Sequence, residues 1–372
     1  MKSEVIILKK TIVAVYLMAF LVLLTGCGQQ KATVTDAQPT QKPAQAEPSV
    51  TPTPTEEIAP SSELTIKDYY PFLKNTDSYY VGEGNEYASF HMYTDYIDDS
   101  TNRAQIRINN GGSETVQVIQ NKDGKLTLLS SQEETYYRDN LLEKTNSEDK
   151  ETVILMEPLV KGTSWTLPDG KTRSITGENV SITTPLGEYK ALEVTTEEVT
   201  GSTIDYYVKD MGLVNRVTYL GDTKITSTLK ERKTDVPFIQ EINMYHWNLD
   251  EEMKKDEVKL ELFTNDITRT KLEEYLKSGS LDNQALISSN TKINSMYLGT
   301  DNIAYVDFSQ EFIDEMNAGA GYETQILQCI TNTIGDYYGV KEVYLTVDGN
   351  PYESGHIALI KGETFKVDLQ EQ

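Results

Sequence analysis

Ala304-Tyr305-Val306-Asp307-Phe308-Ser309-Gln310-Glu311-Phe312 alternates apolar and polar residues as a strand does, then breaks at short oxygen-bearing side chains where a helix should start. Asp307 and Ser309 at such an exit read as cap or turn residues rather than as catalytic or ligating groups. Downstream, residues 322–337 place Ile326, Leu327, Ile330, Ile334 and Tyr337 on one helical face, and Gly339 follows as a stop. A strand at 341–348 closes on Val347-Asp348-Gly349, where glycine permits a positive φ in the turn. Upstream, 292–298 and 303–308 form a hairpin around 299–302. It is preceded by a strand at 258–263 and a helix-spaced segment at 268–277 through Leu272, Tyr275 and Leu276. The order is β-α-β-β-α-β, a small sheet with helices against one side.

These pieces carry a family resemblance. The opening strand, the Asn290-Thr291-Lys292-Ile293 lead-in, the 304–312 stretch, Glu323, Ile330-Thr331-Asn332-Thr333-Ile334, Gly339-Val340-Lys341-Glu342-Val343 and Val347-Asp348-Gly349 together resemble the GerMN family, named for a sporulation and spore-germination lipoprotein. The resemblance covers 258–349, inside a domain placed at 236–372. It implies a non-catalytic role, because GerMN modules are similar to ring-building folds of the channel between mother cell and forespore and act by protein contact. The partners implied are an unidentified envelope or sporulation protein, or further copies in a homo-oligomer or ring. The germination protein is described by two such modules, whereas one is evident here and an unrelated β-domain stands in the other place.

That β-domain is expected over 64–235. Alternating or β-branched runs at 87–93, 103–109, 115–120, 125–129, 171–176, 180–184, 189–196, 203–209, 213–219 and 224–229 are separated by turn signals such as Asn110-Gly111-Gly112, Asp123-Gly124 and Asp169-Gly170. Short strands joined so tightly make an antiparallel meander, either a curled sheet or a sandwich. The fold class is therefore α+β, a β-rich domain followed by the small mixed one.

The N-terminus is of a different kind. Lys2, Lys9 and Lys10 precede a 14-residue apolar stretch, 11–24, that runs into Leu24-Thr25-Gly26-Cys27. A positive region, a short apolar core and small residues before a cleavage point describe a secretory signal over 1–26, too short for the ~20 residues of a spanning helix. The arrangement resembles a bacterial lipoprotein signal, which implies that Cys27 is lipidated and leads the mature chain on the outer face of the cell membrane. Residues 27–63 hold six of the 12 prolines among Thr, Ala, Gln and Ser, and read as a tether.

The 372 residues carry 34 Lys+Arg against 58 Asp+Glu, a net charge of -24. Losing Lys2, Lys9, Lys10 and Glu4 with the signal leaves 31 basic and 57 acidic residues, net -26. Such a body repels nucleic-acid backbones and anionic lipid, so no nucleic-acid partner is expected and the membrane is reached through lipid alone. With Cys27 committed to lipid, Cys329 is left as a single thiol in an apolar helical pattern, read as a small buried hydrophobe.

No catalytic, cofactor or metal site is expected. His91, His246 and His356 lack ligand spacing; Gly162-Thr163-Ser164 lacks the closing glycine of a nucleophile elbow; Ser354-Gly355-His356 has no assigned acid. The run from Asp95 to Asn102 has Ser100 and Ile106 where a calcium hand needs Gly and Glu, and reads as a solvated acidic loop. The five Tyr-Tyr doublets, as at Tyr79-Tyr80 and Tyr206-Tyr207, should send one ring inward and one outward in a strand. The leading function is a lipid-anchored assembly or interaction module of a Gram-positive envelope, linked to sporulation or germination. Alternatives are a carrier of an apolar ligand in the β-rich domain and, behind it, a wall-active hydrolase.

Overall fold

The chain divides into two units, Met1–Ala59 and Pro60–Gln372, and the computed structural model describes residues 64–145, 151–248, 252–278 and 285–369 of the second. The signal, Cys27 and the tether lie outside the described residues. A short helix α1 (Ile66–Tyr69) precedes six strands: β1 (Asp77–Glu83), β2 (Phe90–Asp98), β3 (Arg103–Asn109), β4 (Glu114–Lys122), β5 (Lys125–Gln132) and β6 (Thr152–Met156). Six more follow: β7 (Ser164–Thr166), β8 (Thr172–Thr184), β9 (Gly187–Glu198), β10 (Gly201–Val208), β11 (Gly212–Leu220) and β12 (Thr223–Lys233).

All twelve strands join one sheet in the order β6-β5-β4-β3-β2-β1-β12-β11-β10-β9-β8-β7, curled into a near-closed barrel. Two meanders meet where β1 pairs β12, from Asp77 opposite Lys233 to Glu83 opposite Thr226. Turn chemistry makes the meanders: Asp123 (φ 51°) and Gly124 (φ 68°) both adopt the left-handed conformation that a tight two-residue hairpin requires. At the seam, β6 and β7 face each other without a backbone ladder. Side chains span it instead: Trp165 Nε1 donates to the Val153 carbonyl and Arg173 Nε to the Ile154 carbonyl, each at 2.9 Å.

Inward positions pack Ile119, Leu126, Leu155, Ile175, Val194 and Trp165, with Ile66 of α1 added to the same cluster. Each such side chain, fully buried, stabilises the fold by about 1.5–3 kcal/mol. Among them Asp205 has no exposure, and its carboxylate accepts from Arg173 Nη2 at 2.7 Å and Arg216 Nε at 2.6 Å. Burial alone would push this carboxyl up, but the two guanidiniums together hold it down at about 2.

The C-terminal domain opens with a hairpin, β13 (Phe238–Trp247) and β14 (Met253–Leu262), paired over their full lengths as a separate two-stranded sheet. Then come α2 (Thr268–Ser278), β15 (Ile293–Leu298), β16 (Ala304–Phe308), α3 (Glu311–Asp314), α4 (Ala320–Tyr338), β17 (Glu342–Val347), β18 (Asn350–Pro351) and β19 (Phe365–Lys366). The order β-α-β-β-α-β holds from β14 to β17, but β14 bonds to β13 instead of joining the second sheet, ordered β15-β16-β17-β18 with β19 also on β17. β16 and β17 are parallel, as a crossover through helices demands. α4 stops at Gly339, whose φ of 66° is the left-handed cap conformation. Its buried stripe runs through Ile326, Leu327, Ile330 and Ile334 to Tyr338, and the expected Tyr337, half-buried, packs against the same cluster.

Replacing Asp205 with Asn leaves Arg173 facing neutral groups inside the barrel. Denaturant unfolding should show a loss of about 3–5 kcal/mol at neutral pH. The depressed carboxyl contributes stability above its ordinary value of 3.8, lost as pH falls toward 2. Stability of the native protein should therefore drop between about pH 4 and 2 more steeply than that of the Asp205→Asn variant, and parallel slopes would contradict the assignment.

Candidate binding cleft

Where barrel and C-terminal domain meet, two arginines share one carboxylate. Asp95 lies in β2 at a register shift between Thr94 and Tyr96, fully buried, with Arg107 Nη2 of β3 3.0 Å from Oδ2 and Arg138 Nε 3.3 Å from Oδ1. Arg107 also reaches Glu114 at 2.6 Å and the carbonyls of Thr135 and Tyr137, each at 2.8 Å. Arg138 stands 4.3 Å over the Tyr96 ring and donates to the carbonyls of Asp95 (2.7 Å), Phe263 (3.0 Å) and Asp266. Its own N–H donates to Tyr337 Oη of α4, and its carbonyl accepts from Thr268 Oγ1 of α2, both at 2.8 Å. The loop after β5 thus clasps the module. Asp139 completes it, accepting from Tyr338 Oη at 2.8 Å and the Leu298 N–H at 3.2 Å. Burial raises the Asp139 carboxyl above its ordinary value, only partly offset by those two donors.

Beside this clasp lies a cleft of about 610 Å³ between the 138–144 loop, the end of β2, the start of α2 and β15. That volume falls within the range of about 300–1,000 Å³ typical of ligand clefts, which favour domain junctions. Lys144 Nζ sits 4.9 Å over the Tyr297 ring at its mouth, and Arg269 Nε donates to the Asn294 carbonyl at 3.1 Å. Tyr297 stacks on Tyr305 with centroids 5.2 Å apart, and Tyr344 meets Tyr305 edge-on, an aromatic row across β15, β16 and β17. Inside the barrel, the cavity beside Tyr70, Met92, Ile106 and Leu213 is about 20 Å³, room for about one water.

The residues singled out in the sequence scatter. His91 bonds Asp77 at 3.0 Å and stacks on Tyr79; His246 lies 3.2 Å from Asp256; His356 Nδ1 is 2.7 Å from Glu323. Glu323 is the acid that Ser354-Gly355-His356 lacked, yet Ser354 Oγ donates to the carboxylate itself rather than to the imidazole, the wrong relay for a nucleophile. Among the described residues no group of three or more His, Cys, Asp or Glu could hold a metal ion. Cys329 is buried, its thiol pushed up to about 12. Tyr80 and Tyr207 point inward while Tyr79 and Tyr206 are more exposed.

Two readings change. Asp95 is no loop residue: β2 runs through it to Asp98, and only the segment after Asp98 turns, with Asp98 accepting from Ser100 and Thr101. Asp307 and Ser309 do not cap α3; Asp307 accepts the Gly349 N–H at 2.7 Å and so ties down the next turn, while Ser309 accepts the Lys292 N–H at 3.0 Å. Arg107, Arg138 and Asp139 were not anticipated. The available signal was arginine at an inward position of an alternating strand, as in the 103–109 run.

Arg138→Met keeps the length and removes the donors, stranding three carbonyls and leaving Asp95 with one arginine. Denaturant unfolding should register a loss of about 3–5 kcal/mol. Amide hydrogen exchange should speed up across 136–139 and not in β9; unchanged exchange there would show that the clasp does not depend on Arg138.

Comparison with known proteins bears on the C-terminal part. Residues 243–353 match the family model described as Germane, sporulation and spore germination, so the matched segment takes in the second half of β13 as well as the stretch from β14 on. Among solved structures, the tandem GerMN domains of the sporulation protein GerM from Bacillus subtilis align at 20% identity over 34% of this chain and 46% of that one, with a TM-score of 0.29. The first GerMN domain of the same protein aligns at 20% identity over 35% of this chain and 98% of its own, with a TM-score of 0.28. The chain thus spans less than half of the tandem structure. No curated protein matches it. The C-terminal region carries a GerMN-like domain.

Proposed function

We propose that this chain is a lipid-anchored, extracytoplasmic protein that works by protein contact, without catalysis, in envelope assembly during sporulation or germination of a Gram-positive cell. The observation that carries the reading is the match of residues 243–353 to a sporulation and spore-germination family. In this reading 1–26 is the signal, Cys27 bears the lipid, and 27–63 is a tether. The β-rich body at 64–235 and the GerMN-like domain at 236–372 stand off the surface. The charge of -24 argues for lipid rather than electrostatic attachment, since an acidic body is repelled by anionic headgroups. Among the described residues no helix is long and apolar enough to cross a membrane.

Deleting the gene should lower the yield of heat-resistant or germinating spores at least tenfold, with vegetative growth unchanged. Normal spore counts and germination would sink the sporulation half. Cys27→Ser should abolish incorporation of labelled palmitate and move the protein from the membrane fraction to the medium. Retention of label in that variant would overturn the anchor.

A further inference from the structure

Residues 364–368 lie in a groove between α4 and the edge of β17, and the groove is shaped to them. Asn332, with no exposure, donates through Nδ2 to the Asp368 carbonyl at 2.6 Å and accepts the Asp368 N–H at 2.9 Å, the two bonds of a strand rung. Gly335 leaves the slot for Val367: a Cβ there would stand 2.2 Å from Val367 Cγ2. Glu342 accepts from Thr364 Oγ1 at 2.6 Å and pairs with Lys366, while Gln328 Nε2 donates to the Lys366 carbonyl at 3.1 Å.

The stretch before this segment is fixed separately. Glu323 of α4, 2% exposed, accepts from Tyr352 Oη at 2.8 Å and from Ser354 Oγ, and lies 2.7 Å from His356 Nδ1. Between the two anchored pieces stands a turn at 360–363, closed by the Glu363 N–H on the Ile360 carbonyl at 3.0 Å. Its third residue, Gly362, has a φ of 88°, a left-handed conformation suited to glycine. All four turn residues are exposed, Ile360 at 76%.

Two features of the turn fit a second copy of this chain. About Gly362 the sequence is self-complementary: two such turns, straightened and crossed antiparallel, set Lys361 of each copy opposite Glu363 of the other. Ile360, a large apolar side chain that the closed turn leaves in water, then lies opposite Thr364 and diagonal to the bare Gly362 of the other copy.

We propose that residues 364–368 are exchanged between two copies of this chain, each segment filling the other copy's groove while the two turns cross as an antiparallel pair. Every contact of the closed groove is regained in the exchanged one, so the turn and the protein concentration set the balance between them. The proposal rests on the protein-contact reading and names the partner as a second copy.

The test follows sedimentation of the full chain in detergent. Glu342→Cys with Lys366→Cys, placed at strand partners, reports which copy fills which groove. A dimer is expected whose share rises with concentration, with oxidation linking two chains in the dimer and one chain to itself in the monomer. Gly362→Val disfavours the closed turn and should raise the dimer share about tenfold, whereas three glycines inserted after Gly362 relax the turn and should lower it by a similar factor. Lys361→Glu sets like charges opposite each other and should weaken the dimer about tenfold, and adding Glu363→Lys should restore it. The substituted turn residues are exposed, and near-ultraviolet circular dichroism checks that the variants fold. Monomer at every concentration in both the native chain and Gly362→Val, cysteines linked within one chain in the dimer, or a dimer indifferent to all the turn variants would each overturn the proposal. Normal spore counts in the deletion strain with exchange intact would instead remove the sporulation role and leave this contact standing.

Discussion

A carboxylate shut away from water, Asp95, sits between two guanidiniums, and the joint between barrel and module is organised around it. Burying an ion costs several kcal/mol, repaid only when every remaining donor and acceptor is met. Here the leftover N–H groups of Arg107 and Arg138 go to the carbonyls of Thr135, Tyr137, Phe263 and Asp266. These carbonyls belong to two stretches of chain, the loop after β5 and the turn after β14, so the ion pair can be satisfied in one arrangement of loop, barrel and hairpin. The cleft inherits its shape from that arrangement, since Arg138 and Asp139 form part of its wall.

Asp205 repeats the device inside the barrel, again with two arginines on one carboxylate. In a chain so rich in acid, repulsion among surface carboxylates opposes compactness. The Asp205 cluster inverts the local sign, two guanidiniums on one carboxylate, whereas around Asp95 the two guanidiniums are balanced by Asp95 and Glu114.

The elements with strong local signals were readable from the residues. α4 followed from Ile326, Leu327, Ile330 and Ile334, and the barrel hairpins from alternation bounded by Asp-Gly and Asn-Gly pairs. β7 was not, because three residues give no period to detect, and β1 was hidden by its Tyr-Tyr doublet and the glycine near its end. β13 escaped because Gln240 is buried while Ile239 is exposed, reversing the expected alternation. Of the cleft, no part was legible beforehand: its residues come from β2, the 133–145 loop, α2 and β15, and only tertiary contact brings them together. The acidic run misled because composition cannot separate Asp95, which turns inward at a bulge, from Asp98 and Asp99, which do not.

The pairing of β1 with β12 has a consequence for how the chain can be made. β6 and β7 are sequence neighbours left without a ladder, whereas the strands that unite the two meanders come from opposite ends of the barrel segment. Hairpins on either side can form as soon as their turns exist, but the central rungs from Asp77 to Lys233 must wait for the last strand. Because the chain is synthesised from its N-terminus, β1, paired on one side with β2, keeps its other edge open until β12 arrives. The interval in which that edge is exposed is set by the length of the segment between them, and it is the stage of biogenesis most open to mispairing with a second chain.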